Sequence, residues 1–145
     1  MRGYFGIGIY HPKHHENIGT LWRSAHAFGA DFIFTIGRRY RQQASDTTKA
    51  VRHIPLFEYT TLEDFEQHKP YGCQTVCVEL TDESAPLTEF NHPSRAAYIL
   101  GAEDHGLPLD YTRGKKSVVV PGATWCLNVS TAGSIVLYDR ITKGR

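Results

Sequence analysis

Three stretches of this chain combine residue types and spacings that could carry chemistry. The first is "NIGTLWRSAHAFG". Ile18, Leu21, Trp22, Ala25 and Phe28 recur at helical spacing and belong to a core-facing side, while Gly19, Arg23 and His26 form a second stripe at i, i+4 and i+7. A glycine inside a helix costs about 1 kcal/mol relative to alanine, so Gly19 needs a reason. Room for a ligand or a neighbouring chain beside Arg23 is one; an exposed arginine on an amphipathic helix is the bland counterpart.

The second stretch, "GAEDHG" from Gly101 to Gly106, follows a strand, where open α/β sheets place their ligand loops. It lacks the glycine spacing of a dinucleotide fingerprint, and taken alone it reads equally as a turn. The third is "VVVPGATWCLNVS", a strand end, a short loop and a helix start. Asn128 and Ser130 are cap-type residues. The same loop and helix start also present free backbone N–H groups, which can read the polar edge of a nucleoside-type cofactor.

Other chemistry is poorly supported. Cys73 and Cys77 are four apart on an expected strand and point the same way; with no second pair they read as core thiols, not zinc ligands. "HPKHH", from His11 to His15, reads as a solvated loop before it reads as a metal site. No metal is expected. A thiol hydrolase built on Cys126 and a histidine has no motif behind it, and no nucleophile elbow, P-loop or H-E-x-x-H is present.

The elements that must position these stretches alternate. Strands are expected at 4–10, 31–36, 54–60, 74–80, 96–100 and 117–121. Helices are expected at 17–28 (capped by Asn17 and stopped by Gly29), 47–53, 61–68 (capped by Thr61) and 128–142. Gly6 and Gly8 alternate with Phe5, Ile7 and Ile9 and mark the close approach of another backbone or a helix. This order implies an α/β domain with a mostly parallel sheet flanked by helices, one domain over 1–145.

Bulk composition agrees. A chain of 145 residues, 41% hydrophobic and 21% charged, is long enough to bury roughly two-thirds of its unfolded surface. No apolar run approaches the roughly 20 residues of a membrane span, so no membrane partner is expected. Three sparse cysteines and no secretory leader pattern point to reduced thiols and a cytoplasmic setting. The net charge of +1 announces no nucleic-acid binder. Locally, however, Arg38, Arg39 and Arg41 surround Tyr40, a basic-aromatic cluster suited to phosphates and a stacked base.

Together the three stretches, in this order, resemble the three motifs of the SpoU (TrmH-type) RNA ribose 2′-O-methyltransferases of the SPOUT superfamily. Asn17, Gly19, Arg23, Ala25, Phe28 and Gly29 carry the first motif. Gly101, Glu103, Gly106 and Leu107 carry the second, and Pro121, Leu127, Asn128, Ser130, Ala132 and Tyr138 the third. The resemblance implies a SPOUT α/β fold with a C-terminal trefoil knot, against the general rule that chains do not knot. It also implies a homodimer, S-adenosylmethionine as methyl donor, and an RNA, tRNA foremost, as acceptor.

The cofactor is then expected among the loop after Leu80, the loop at Gly101, Glu103 and Gly106, and the segment of Val120, Cys126, Leu127, Asn128 and Ser130. Arg23 is expected at the reacting hydroxyl, and Asn17, Arg23, Arg38, Arg39 and Arg41 on the RNA. The absence of an added N-terminal RNA-binding domain resembles the subgroup that methylates the tRNA wobble nucleotide. One departure stands out. Cys126 occupies a position where the family usually has serine, in a shortened loop, and a thiol is the weaker hydrogen-bonding group. That change gives weight to an alternative reading, a catalytically impaired relative that binds RNA.

Overall fold

A computed structural model describes residues 3–41, 43–47, 49–101, 104–122 and 127–144. Seven strands are described: β1 (Tyr4–Tyr10), β2 (Phe32–Ile36), β3 (Leu56–Tyr59), β4 (Gln74–Val78), β5 (Ala85–Pro86), β6 (Arg95–Leu100) and β7 (Lys116–Val119). They form one sheet in the order β3-β2-β1-β6-β4-β7-β5, and every pairing is parallel. The helices are α1 (His15–Ala27), α2 (Leu62–His68), α3 (Leu109–Thr112) and α4 (Val129–Lys143). The expected alternation is therefore present. The strand not read from the sequence, β5, is two residues long and ends in Pro86, which has no N–H to give a ladder.

The two faces of β1 explain its composition. Phe5, Ile7 and Ile9 are fully buried against Ile18, Leu21, Trp22 and Ala25 of α1 and Val136 and Leu137 of α4. On the other face Gly6 and Gly8 pair in register with Phe32 and Phe34, and a Cβ at either glycine would overlap those rings. The close approach expected at these glycines comes from the adjacent strand: the Phe32 ring at Gly6, and both the ring and the backbone carbonyl of Phe34 at Gly8. Phe32 and Phe34 then join Ile36, Phe65 of α2, Cys73 and Cys77 in a second apolar cluster. Both thiols are buried, and burial pushes Cys77 up to about 12, as core thiols require.

Two expected caps resolve differently. Thr61 caps α2 as read, its hydroxyl accepting from Asp64 N at 3.0 Å. Asn17 does not cap α1. That helix begins two residues earlier, after His14, and leaves Asn17 in its first turn. Within the segment expected as a helix over 47–53 there is a single 3-10 turn, Ala50–Arg52, whose Ala50 N–H donates to the Asp46 carboxylate at 3.0 Å.

At its C-terminal end α4 is held by a buried polar network. Arg140 donates to Pro93 O, Ser94 O and the Tyr98 hydroxyl and lies over the Phe5 ring. The Tyr98 hydroxyl meets His92 Nδ1 at 2.6 Å, and His92 Nε2 meets Asp139 at 2.7 Å. With the Nε2–H donating to the Asp139 carboxylate, neutral His92 can accept the Tyr98 proton at Nδ1; a protonated ring would keep the Asp139 bond but turn the Tyr98 oxygen into an acceptor and displace its proton. Burial, outweighing the Asp139 carboxylate, accordingly holds the imidazole below its ordinary value of 6.5.

A folded pKa below the unfolded one makes the unfolded chain the stronger proton binder. The stabilisation is complete above the unfolded value and is lost as pH falls through the folded one. Urea midpoints of the wild type should drop between about pH 7.5 and about pH 5. His92→Gln should lower the midpoint at the higher pH, by about 1–2 kcal/mol for the lost bonds, and flatten this dependence. An unchanged pH dependence in His92→Gln would place the titration elsewhere.

Candidate functional site

The loops leaving the carboxyl ends of β1, β4, β6 and β7 gather at one edge of the sheet, where open parallel sheets bind ligands. A cleft of about 280 Å³ opens there. Val78 and Glu79 wall it from the end of β4. Leu100, Gly101, Asp104, His105 and Gly106 wall it from β6, and Leu127, Val129 and Ala132 from the start of α4.

The β6 loop is folded as tightly as its composition allows. A Cβ on Gly101 would overlap the backbone of Gly106 and Leu107. Gly106 has φ +64°, and a Cβ there would overlap the Glu79 carboxylate. Glu79 in turn accepts from Leu107 N at 2.8 Å and from Leu80 N at 3.2 Å, tying the β4 and β6 loops together. The two glycines thus allow the loop to fold onto itself and onto Glu79.

The α4 end is fixed by Asn128. Its Oδ1 accepts from Ser130 N at 2.9 Å, from Thr131 N at 3.3 Å and from Ser130 Oγ at 2.5 Å, which makes it the helix cap. Its Nδ2 donates to Asn17 Oδ1 at 2.9 Å, across 111 residues of sequence. Asn17 therefore spends its side chain on the last helix and not on its own. Ser130 is buried and supports the cap, while Ser134 Oγ, one turn on, donates to Ser24 of α1 at 2.7 Å.

Of the residues expected at the cofactor, Gly101, Gly106 and Leu127 line the cleft, and Asn128 and Ser130 shape its α4 wall. Leu80 and Val120 do not line it. Leu80 is 75% exposed beyond the end of β4, and Val120 packs on the core beneath β7. Glu103 and Cys126 lie outside the described residues. Glu79 was missed: a carboxylate ending a strand carries no local pattern, and its role depends on a loop 28 residues away.

Among the RNA-side residues the structure divides the roles. Arg23 is exposed on α1, has no side-chain partner among the described residues and does not line the cleft. The space over Gly19, one turn before it, is filled by the chain's own loop: a Cβ there would overlap Ser45, whose hydroxyl donates to Glu16 O. Ligand room is thus not what Gly19 provides. Arg38 is occupied structurally, Nη1 donating to Pro12 O at 3.0 Å and Lys13 O at 2.7 Å. Tyr40 is packed edge-on against Trp22, and its hydroxyl donates to buried Asp46 at 3.1 Å, so its ring is an anchor rather than a base platform. Burial pushes its phenol up to about 12. Arg39 and Arg41 are exposed, without side-chain partners among the described residues. No metal-holding group of histidine, cysteine and carboxylate is found among the described residues, the 11–15 loop included.

A parallel sheet whose glycine-tight loop and capped helix start close one cleft defines an α/β ligand-binding domain. More particularly, the chain belongs to the SpoU rRNA Methylase family, whose family model matches residues 5–138. It is 26% identical over 133 residues, 85% of this chain, to the tRNA (guanosine(18)-2'-O)-methyltransferase TARBP1 of Mus musculus, of which it spans 8%. The fold matches an AdoMet-bound rRNA methyltransferase from Sinorhizobium meliloti at TM-score 0.84 and 24% identity, covering 99% of this chain and 57% of that one. It also matches a structure described as giving insight into 2-OH methylation of C/U34 on tRNA, at TM-score 0.80 and 22% identity, with complete coverage of both chains.

The Asn17–Asn128 bond yields a direct test. Asn128→Ala should cost about 1–2 kcal/mol by removing the α4 cap. Asn17→Ala should cost about 1 kcal/mol. The double variant should fall short of their sum by at least about 0.5 kcal/mol in chemical denaturation. Strict additivity would mean that the two amides do not interact.

Proposed function

We propose that this chain binds S-adenosylmethionine in the 280 Å³ cleft and methylates a ribose 2′-hydroxyl of RNA, tRNA foremost, as a homodimer in the cytoplasm. The observation that carries this reading is the cleft itself: residues of the second and third family motifs wall it and fit a nucleoside-type ligand. Gly101 and Gly106 let the β6 loop close tightly on itself and on Glu79, which fixes that wall, and Leu127, Val129 and Ala132 supply an apolar one. When bound, S-adenosylmethionine would supply an electrophilic methyl group on a sulfonium.

The chain's own residues would position the acceptor. Arginine stays protonated at any working pH, so Arg23 does not act as a base. Its planar fork grips the phosphate beside the reacting ribose and offsets the negative charge that develops on the oxygen. Arg39 and Arg41, with no side-chain partners among the described residues, would meet neighbouring phosphates. The wobble nucleotide is the favoured acceptor because one fold match, at TM-score 0.80, is a structure described as concerning C/U34 of tRNA. The homodimer is carried over from the family resemblance, and Tyr138, 57% exposed on α4, is open to such a contact. The trefoil knot belongs to the same reading. The chain leaves β7 on the far side of β4 and returns to pack α4 on α1.

The second reading, a catalytically impaired RNA-binding relative, is favoured by Cys126 in the usual serine position. Calorimetry with S-adenosylmethionine and transfer of labelled methyl to bulk tRNA separate the two. The first reading expects saturable cofactor binding and methyl incorporation; tRNA binding without incorporation supports the second. Cys126→Ser should then raise incorporation if the thiol is the impediment.

Arg23→Ala should lower turnover by roughly 10²–10³-fold. Arg23→Lys should recover little of it, and near-normal activity in the lysine variant would sink the fork. Replacing Arg39 and Arg41 together by glutamine should lower the salt slope of tRNA affinity by about 0.7 for each lost phosphate contact and leave the melting temperature unchanged.

A further inference from the structure

A second concavity, of about 340 Å³, lies beside the cofactor cleft and is walled by the loops after β1, β2 and β6. This is where the strand order reverses direction, since β1 runs on to β2 and β3 on one side and adjoins β6 on the other. Ligands of open parallel sheets gather at such a switch point. Among the described residues its polar lining comprises His11, Lys13, Arg38 and His105, with one carboxylate, Asp104.

The walls are built rather than loose. Arg38 clamps the carbonyls of Pro12 and Lys13. His11 is held at φ +48°, its N–H donating to Ile36 O at 2.7 Å and its ring lying where a side chain on Gly37 would stand. Non-glycine residues adopt that backbone region only when their surroundings impose it. From this platform Lys13 Nζ reaches across to Asp104 Oδ2 at 2.5 Å, although both side chains are about half exposed.

Resting on the reading that the protein binds RNA, we propose that this cradle receives a phosphodiester of the RNA, and that Asp104 occupies it through Lys13 while the protein is unliganded. An exposed ion pair is weak, and the Lys13 ammonium with the His105 ring beside it suits a phosphate at least as well as a carboxylate. Lys13 and His105 together hold the Asp104 carboxyl below its ordinary range, the Lys13 hydrogen bond foremost. Arg39 and Arg41, exposed and next to Arg38 in the chain, add cationic groups that a polyanion uses and a lone anion does not need. Asp104 and His105 also wall the cofactor cleft, so a phosphate that displaces Asp104 acts on the loop that shapes that cleft.

The test compares bulk-tRNA affinity, across a salt series, for the wild type, Lys13→Gln, Asp104→Asn and the double variant. Glu89→Gln serves as the control: it makes the same charge change at an exposed carboxylate near the far end of α4. Lys13→Gln should weaken binding severalfold and lower the salt slope by about 0.7–0.9. Asp104→Asn should tighten binding severalfold, well beyond Glu89→Gln, and this gain should shrink in the Lys13→Gln background. The proposal is overturned if Asp104→Asn matches the control, or if Lys13→Gln leaves affinity and slope unchanged.

Titration of inorganic phosphate, followed by amide shifts of Lys13 and His105, separates the sources. Shifts with phosphate in a protein that binds no tRNA overturn the RNA assignment. The tRNA pattern without methyl transfer counts against the enzyme reading alone and supports the cradle.

Discussion

The carboxamide of Asn128 is the joint on which the functional end of this molecule depends. Its oxygen satisfies the open N–H groups that every helix start presents, and its nitrogen reaches Asn17 on the first helix. One planar group thus sets where α4 begins and where α1 begins relative to it. The apolar wall of the cleft comes from the first residues of α4, and Arg23 is carried by α1. Both are therefore referenced to the same bond. A carboxylate at position 128 could cap the helix but could not donate to Asn17, and a serine would not span the gap.

The other end of α4 shows why this joint stays put. Arg140 and the His92–Asp139 pair pin the helix tail to the β6 entry with buried and part-buried hydrogen bonds. Between these ends the α1–α4 contact is close. Gly133 has no room for a Cβ against Leu21, and Ser134 bonds Ser24. A helix anchored polar-fashion at both ends and packed tightly along its length has little freedom to slide. A cleft walled partly by its first turn is correspondingly pre-shaped.

Much of this was legible in the sequence, in proportion to how local the causes are. Alternation over 4–10 and helical spacing over 18–28 identified β1 and α1 because burial imposes those periods. The cap residues Thr61 and Asn128 were readable because capping acts within three residues. Three features were not. Asn17 looks like a cap and is not one, because its partner is 111 residues away. Gly19 was read as room for a ligand or a neighbouring chain, yet the occupant is Ser45 of the chain's own loop. Glu79 carries no pattern at all until the β6 loop folds over it. In each case the deciding contact joins segments that only the tertiary fold brings together.

The basic segment shows what such contacts do to a motif. Read as composition, Arg38, Tyr40 and their neighbours are one cluster with one purpose. In the fold the segment divides by burial and hydrogen bonding. Tyr40 goes inward to Trp22 and Asp46, Arg38 goes sideways to the Pro12 and Lys13 carbonyls, and Arg39 and Arg41 are left outward. The inward residues stiffen the segment that displays the outward ones. Binding that does not have to order a loop keeps more of its interaction energy, so two well-mounted arginines can matter more to a polyanion than the chain's net charge of +1 suggests.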